Sequence, residues 1–398
     1  MPILELQKIA QVFNGKTPSK KEQRDKGFPV LKIKNVSEDG FFRGQFTSFV
    51  DEEMAGCFPQ KVLNENDVLL LNAAHNSDYV GSKNCFVTTE MAGALATGEW
   101  MIIRADISSV LPRYLYFFIN APQTKQAVKN IVKGIHLYPK DLKKISIPIP
   151  SIEEQKRIVV VLSRADSLRR KRKEAIKLLD EYVESVFIEM FGDPLINPKN
   201  WQKMPLESLQ VTDGIKCGPF GTQLSKSEFQ DKGVPLWGIK HVNVHFKLPT
   251  NEFLSENKAS QLDMYSLCPG DIVMTRKGTI GNCSVYPTHF AKGVMHSDLL
   301  RLRIDTTKSI PEYLSFQLRI SPDVRFQLNR ISVGAIMAGV NVTKLKKLTV
   351  LVPPLNLQRD FLEFTTQINE IRKKMRLQSD ELNHQFNTIM QRTFANAL

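Results

Sequence analysis

Hydrophobic and polar positions along the chain follow two rhythms, and the chain passes from one to the other twice. Over the first 150 residues, short apolar runs such as DVLLLN (67–72), CFVTT (85–89) and WMIIRA (100–105) stand between clusters of Gly, Pro, Asn and Asp. Such spacing predicts short strands joined by turns. GDIVMT (270–275), CSVYP (283–287) and LLRLRI (299–304) repeat it. A run resembling YLYFFINAPQTKQAVKNIV (114–132) follows in each half and reads as a short helix. The rhythm then changes. Residues 152–191 contain neither Pro nor Gly until GDP (192–194) interrupts them, and residues 355–398 again contain neither. Each stretch predicts one long helix. SIEE (151–154) reads as a capping box, with Ser151 as N-cap and Glu154 at the third helical position. Pro354 takes the place of Ser151 in the second half, so that helix is expected to begin a little later.

Both predicted helices carry a seam at steps of three and four. In the first it runs through Ile158, Leu162, Ala165, Arg169, Arg172, Ile176, Leu179 and Val183; in the second through Phe361, Phe364, Ile368, Ile371, Met375, Gln378, Leu382 and Phe386. Sustained over several heptads, this spacing predicts a coiled coil, and each helix supplies the apolar partner the other lacks. Antiparallel pairing would relate the two halves by a pseudo-two-fold axis. Some 40 helical residues would hold two globular blocks about 60 Å apart, a span of one to two turns of B-DNA at about 34 Å each.

The chain is a tandem repeat of two unlike halves. GFPVLKIKNV (27–36) matches GVPLWGIKHV (233–242), NDVLLL (66–71) matches GDIVMT, and IIRAD (102–106) matches RLRID (301–305). LPRYLYFF (111–118) matches IPEYLSFQ (310–317), and DLKKISIPIPSIEEQ (141–155) matches KLKKLTVLVPPLNLQ (344–358). A period near two hundred residues is domain duplication, too long for a solenoid repeat. The reading is an α+β chain of two globular domains, residues 1–150 and 196–352, each followed by a helical region, 151–195 and 353–398.

Composition narrows the partners. The net charge of +13 favours a polyanion. Residues 1–150 hold 19 Lys and Arg against 15 Asp and Glu, and residues 196–352 hold 20 against 12, whereas the helical regions are nearly neutral. No apolar run approaches a membrane span and residues 1–30 lack a signal-peptide stretch, which predicts a cytoplasmic protein with no membrane partner. The five cysteines are scattered without a CxxC pair, the pattern of free thiols in a reducing compartment. His241 and His245 are four apart, but HVNVH alternates like a strand and brings no third ligand, so no metal site is expected.

IPIPSIEEQKRIVVVL (147–162), LVPPLNLQRDF (351–361), the helix end VFIEMFGDP (186–194) and the strand-loop GDIVMTRKGTIGNC (270–283) resemble the specificity subunit of type I restriction–modification systems. The likeness covers essentially the whole chain. It implies two target recognition domains, each reading one half of a bipartite site on double-stranded DNA. It also implies two copies of a DNA adenine methyltransferase subunit docked on the helices. That partner would bind the methyl donor and flip the base. A further restriction and translocase subunit belongs to the same expectation. This chain would be non-catalytic and carry no cofactor. It has no G-x-x-x-x-G-K-[ST] loop, and NPKN (197–200) is not an Asn-Pro-Pro-aromatic methyltransferase signature. The alternative from the residues alone is a coiled-coil scaffold whose β-rich blocks bind proteins.

Candidate DNA-binding residues lie in loops and at strand ends. TRKGTIG (275–281) sets Arg276 and Lys277 beside Gly278 and Gly281, which allow close backbone approach; a guanidinium can fork to guanine or to phosphate. A hairpin turn with solvated charges would look the same. The corresponding first-half loop, NAAHNSDYVGSKNC (72–85), is longer and less basic, and offers Asn72, His75, Asn76 and Lys83. KIKNV (32–36) and GIKHV (238–242) offer Lys32, Lys34, Asn35, Lys240 and His241 for phosphates or base edges; lysines protecting a sheet edge would give the same pattern. Lys216, Thr222 and Gln223 sit in a Gly/Pro loop. In RRKRK (169–173) a solvated face is the ordinary reading, yet Arg169 and Arg172 fall on the seam, where they would meet a partner helix or the DNA backbone.

Overall fold

The computed structural model describes residues 2–332 and 340–395. Residues 333–339, and the last three residues of the second helical region, lie outside them. The chain divides into two compact units: residues 1–174 with 375–398, and residues 175–374.

In the first unit, β1 (Ile3–Glu5), β2 (Ala10–Asn14), β3 (Phe28–Leu31), β4 (Phe49–Val50), α1 (Glu52–Gly56), β5 (Val68–Leu71), β6 (Asn84–Phe86), β7 (Leu95–Ala96) and β8 (Trp100–Ala105) precede three helices. These are α2 (Pro112–Asn120), α3 (Pro122–Ile131) and α4 (Pro139–Leu142). Then β9 (Ser146–Pro148) leads into α5 (Ile152–Phe191). An antiparallel sheet in the order β2-β8-β5-β6 stands beside a small sheet β4-β3-β7, and β9 pairs back onto β1. The strands β5 and β8 are buried on both faces, which is why they read as unbroken apolar runs rather than alternating ones.

The second unit repeats this plan. Its elements are β10 (Gln202–Pro205), α6 (Leu206–Leu209), β11 (Gln210–Cys217), β12 (Val234–Trp237), α7 (Ile239–Asn243), β13 (Phe253–Leu254), α8 (Glu256–Gln261) and β14 (Ser266–Leu267). They continue with β15 (Ile272–Thr275), β16 (Cys283–Val285), β17 (Gly293–Met295), β18 (Leu299–Ile304), α9 (Pro311–Ile320), α10 (Pro322–Ser332), α11 (Val342–Lys346), β19 (Thr349–Val352) and α12 (Leu355–Phe394). The sheet orders β11-β18-β15-β16 and β13-β12-β17-β14 match those of the first unit, with β14 added.

Buried ion pairs fix the two large sheets alike. Arg104 forks onto Asp67 at 2.9 and 2.7 Å, and Arg303 onto Asp271 at 2.7 and 2.8 Å. Each aspartate also accepts a backbone N–H three residues upstream, from Asn64 and Cys268. The charge is thereby satisfied inside a low-dielectric wall.

Within each unit, segments of α5 and α12 share one core. In the first, Leu162 joins Phe386, Met390 and Phe394, and the Arg169 guanidinium lies over the Phe386 ring at 4.5 Å. In the second, Phe187 and Phe191 meet Phe361 edge-on at 5.4 and 5.5 Å, and Arg372 pairs with Asp180 at 2.6 Å. Ile158, Leu179, Val183 and Ile368 also pack into these cores, and Arg172, Ile176, Met375 and Leu382 are half-buried.

Several sequence expectations need correction. Ile371 is 47% exposed, and the neighbouring Arg372 takes the inward position. A 3.6-residue helix drifts from a strict 3.5 repeat, so four residues after Ile368 the inward face has moved on by one. The predicted helix 114–132 is two helices broken at Ala121–Pro122, because Pro lacks the N–H that would continue the first. HVNVH is not a strand; it contributes most of α7 and its end. Finally, α12 begins at Leu355, the counterpart of Ile152, so Pro354 does not delay the start. Proline is well tolerated at a helix entrance.

Candidate nucleic-acid interface

The end of the third strand of each large sheet is held from three sides. In the first unit the Asn72 N–H donates to the Glu99 carbonyl at 2.8 Å, and its own carbonyl accepts from the Leu137 N–H at 2.7 Å. In the second unit Arg276 stands at the equivalent place: its N–H donates to the Asp298 carbonyl at 2.8 Å and its carbonyl accepts from Val340 at 3.4 Å. At the same end of the sheet the edge strand, β2 or β11, runs into a glycine pressed against the β7–β8 or β17–β18 turn. A Cβ on Gly15 would lie 2.3 Å from the Ala96 carbonyl oxygen, and one on Gly218 2.2 Å from that of His296, so no other residue fits.

The two apices carry different side chains on this shared frame. Asn72 is buried, and its amide donates to Asn14 Oδ1 and the Gly98 carbonyl, both at 3.0 Å. Arg276 is half-exposed; its Nε donates to the Val340 carbonyl at 3.2 Å, and its guanidinium lies 4.7 Å from the Phe220 ring centre. Lys277 pairs with Asp298 at 2.9 Å. The loop beyond is tight: Gly278 and Gly281 have φ of +69° and +83°, and the Thr275 hydroxyl donates to the carbonyls of Thr279 and Asn282. Thr279 and Asn282 donate to Asn243 Oδ1 at 2.9 and 2.8 Å, tying the loop to α7.

Other sequence-selected residues divide into surface and interior. Lys34, His75, Asn76, Thr222, Gln223 and Lys240 are exposed. Asn76 caps a short turn through the Asp78 N–H, Gln223 accepts from the Phe220 N–H at 2.9 Å, and Lys240 donates to Asn251 at 3.2 Å. Lys32 donates to Gln23 at 2.8 Å, and Lys216 lies 3.5 Å from Asp213. Asn35, Asn72, Lys83 and His241 are buried, which corrects their placement as surface groups. The Asn35 side chain accepts from the Lys32 N–H and donates to the Gln45 carbonyl. Lys83 reaches Glu38 at 2.8 Å and the Val36 carbonyl at 3.3 Å. His241 Nδ1 accepts from the Gly238 N–H at 3.0 Å, with the Trp237 ring edge-on at 5.0 Å, and burial lowers its pKa. Asn35 and His241 thus close their own turns, whereas Asn72 and Lys83 tie together segments distant in the chain.

RRKRK is also engaged. Asp166, buried in α5, pairs with Arg169 at 2.7 Å and with Arg170. The Arg170 guanidinium lies 4.0 Å from the Phe41 ring, and Lys173 bonds Asp39 at 2.6 Å. Sequence reasoning passed over Phe220, an exposed aromatic in a Gly/Pro loop. It also passed over the basic stretch Lys16, Lys20, Lys21, Arg24 and Lys26 between β2 and β3. An aromatic flanked by glycines and a run of five cations were the available signals.

Residues 3–178 match the family model described as "Type I restriction modification DNA specificity domain". The resemblance read from the sequence holds: the first half matches that description, and over most of its length the chain is similar to type I specificity subunits. It is 21% identical to the type I restriction enzyme MjaVIII specificity subunit of Methanocaldococcus jannaschii, over 84% of each chain. It is 22% identical to the EcoKI specificity subunit of Escherichia coli strain K12, over 88% of this chain and 78% of that one. In fold it resembles the type I restriction–modification system S subunit from M. genitalium, with a TM-score of 0.55 and 11% identity over 99% of this chain and 96% of that one. A chain from a study of complex assembly in a type I R–M system gives a TM-score of 0.57 at 18% identity, covering 100% and 98%. No helix among the described residues is long and apolar enough to cross a membrane.

Proposed function

We propose that the chain is the DNA-reading subunit of a type I restriction–modification complex, recognising a bipartite target with one globular domain per half-site. Residues 1–150 and 196–352 are the reading domains, and the two long helices pair as an antiparallel coiled coil that sets the distance between them. The observation that supports this most is the duplicated apex: one frame, repeated, with an inward Asn72 in one copy and an outward Arg276 in the other. A duplication that keeps its frame and changes its presented side chain suits reading two different sequences. The net positive balance of both blocks suits a phosphate backbone.

The chain supplies recognition and no chemistry in this reading. A DNA methyltransferase subunit, in two copies, docks on the helical regions, and a restriction subunit joins where cleavage accompanies modification. The exposed cations Lys34, Lys240, Lys20 and Lys21 serve phosphates, while Arg276 and His75 face bases. The test is binding of randomised duplex DNA by the full chain assembled with its methyltransferase. Selection of two short defined segments separated by undefined bases is expected. Absence of duplex binding, with capture of protein partners by the β-rich blocks, would favour a scaffold instead.

A further inference from the structure

We infer that Phe220 is a positioning residue for base recognition, holding Arg276 so that the pair discriminates one base pair of the second half-site. The inference rests on the proposed reading of DNA by this domain and names a residue that sharpens it.

Three observations carry it. First, Phe220 is 49% exposed at the tip of the β11 loop, where an aromatic ring has no core to join. What it touches is Arg276, whose guanidinium lies 4.7 Å from the ring centre. Second, Arg276 is tied on one side only: Nε is bonded to the Val340 carbonyl, and its two terminal nitrogens bond no described residue. A guanidinium anchored through Nε and held over a ring leaves its two terminal nitrogens as a planar two-donor fork, the geometry that matches O6 and N7 of guanine. An unsupported arginine would spread over many rotamers and lose that entropy on binding. Third, the first unit shows what the frame does without this pair. Thr17, the counterpart of Phe220, accepts the Gly98 N–H at 2.8 Å, and Asn72, the counterpart of Arg276, is turned inward. The aromatic and the arginine appear together in one copy and are both replaced in the other.

The neighbours agree with this division. Lys277 is drawn to Asp298, so it is not the free fork of the loop. Gln223 is committed to the Phe220 N–H and to the Tyr265 hydroxyl, which fixes the backbone that carries the ring.

The experiment measures base preference at every position of the target by competition among duplexes, using the full chain assembled with its methyltransferase. Wild type is compared with Phe220→Ala, Phe220→Tyr, Arg276→Ala and the double alanine variant. Phe220→Ala is expected to reduce preference at one position of one half-site by about tenfold, within the range for a bidentate arginine–guanine contact. Phe220→Tyr should keep it, and Phe220→Ala should add nothing once Arg276 is alanine. A Phe220→Ala variant that keeps full preference at every position, or weakens all duplexes equally, overturns the inference while leaving the DNA-reading function standing. Loss of preference by wild type itself would overturn the function as well.

Discussion

Gln155 and Gln358 occupy the same place in the two halves and make the same two bonds. Each side-chain oxygen accepts, at 2.8 Å, the backbone N–H just before a Pro-initiated helix, that of Leu111 or of Ile310. Each side-chain nitrogen donates to the carbonyl of the junction proline, Pro150 at 3.0 Å or Pro353 at 2.8 Å. Both glutamines are fully buried. One turn inside each long helix, a single amide thus locks the helix entrance to the globular domain. Tyr114 and Tyr313 reinforce it by donating to the carbonyls of Pro148 and Leu351.

Removing either amide strands a buried N–H and a buried carbonyl. Gln155→Ala and Gln358→Ala should each destabilise the chain by about 1–3 kcal/mol. Urea unfolding followed by circular dichroism measures this; an unchanged midpoint for both variants would show that the locks carry no stability.

The Arg–Asp forks make a second pair of equivalent sites. Arg303→Met would leave Asp271 buried and unpaired, at a cost of about 2–4 kcal/mol after allowing for the partly exposed guanidinium. Arg104→Met should behave likewise with Asp67. Thermal unfolding checks both, and the paired substitution Arg303→Met with Asp271→Leu should recover much of the loss.

His241 makes stability depend on pH. Burial lowers its folded-state pKa, so the unfolded chain binds the proton more tightly. The stabilisation is present above the unfolded value of about 6.5 and is lost as pH falls through that value toward the folded one. The urea midpoint should fall between pH 7.5 and 5.5 for the natural chain, and fall less for His241→Gln. Parallel slopes would remove His241 from the account.

Arg276→Ala should relax or weaken recognition of one half-site and leave the other intact, because the two apices belong to separate units. Base-preference profiles at constant salt decide it. If both halves of the recognised sequence changed together, two independent reading domains would be the wrong description.

Much of this architecture was legible in the sequence, for identifiable reasons. Long Pro- and Gly-free stretches forecast α5 and α12 because helix boundaries are marked by residues that cannot continue a helix. The duplication was visible because the core strands and the glutamine junction repeat in order and in apolar pattern, with a few residues such as the junction Pro and Gln kept. The site was less legible. Asn35, Asn72 and His241 looked like side chains free for DNA, yet Asn35 and His241 close their own turns and Asn72 bonds Asn14 and the Gly98 carbonyl. Whether a short polar side chain faces outward or closes its own loop depends on tertiary position, which no local pattern reports. Ile371 slipped for a related reason: a seven-residue pattern is an average over a helix that drifts against it. Phe220 was hidden because its meaning lies in a contact with Arg276, fifty-six positions away.

The most direct test compares methylation across a host genome with and without this gene, its methyltransferase being supplied in both. The account predicts a bipartite motif, two short defined segments around undefined bases, methylated only when this chain is present. An unchanged methylation pattern, with the methyltransferase shown to be active, would contradict it.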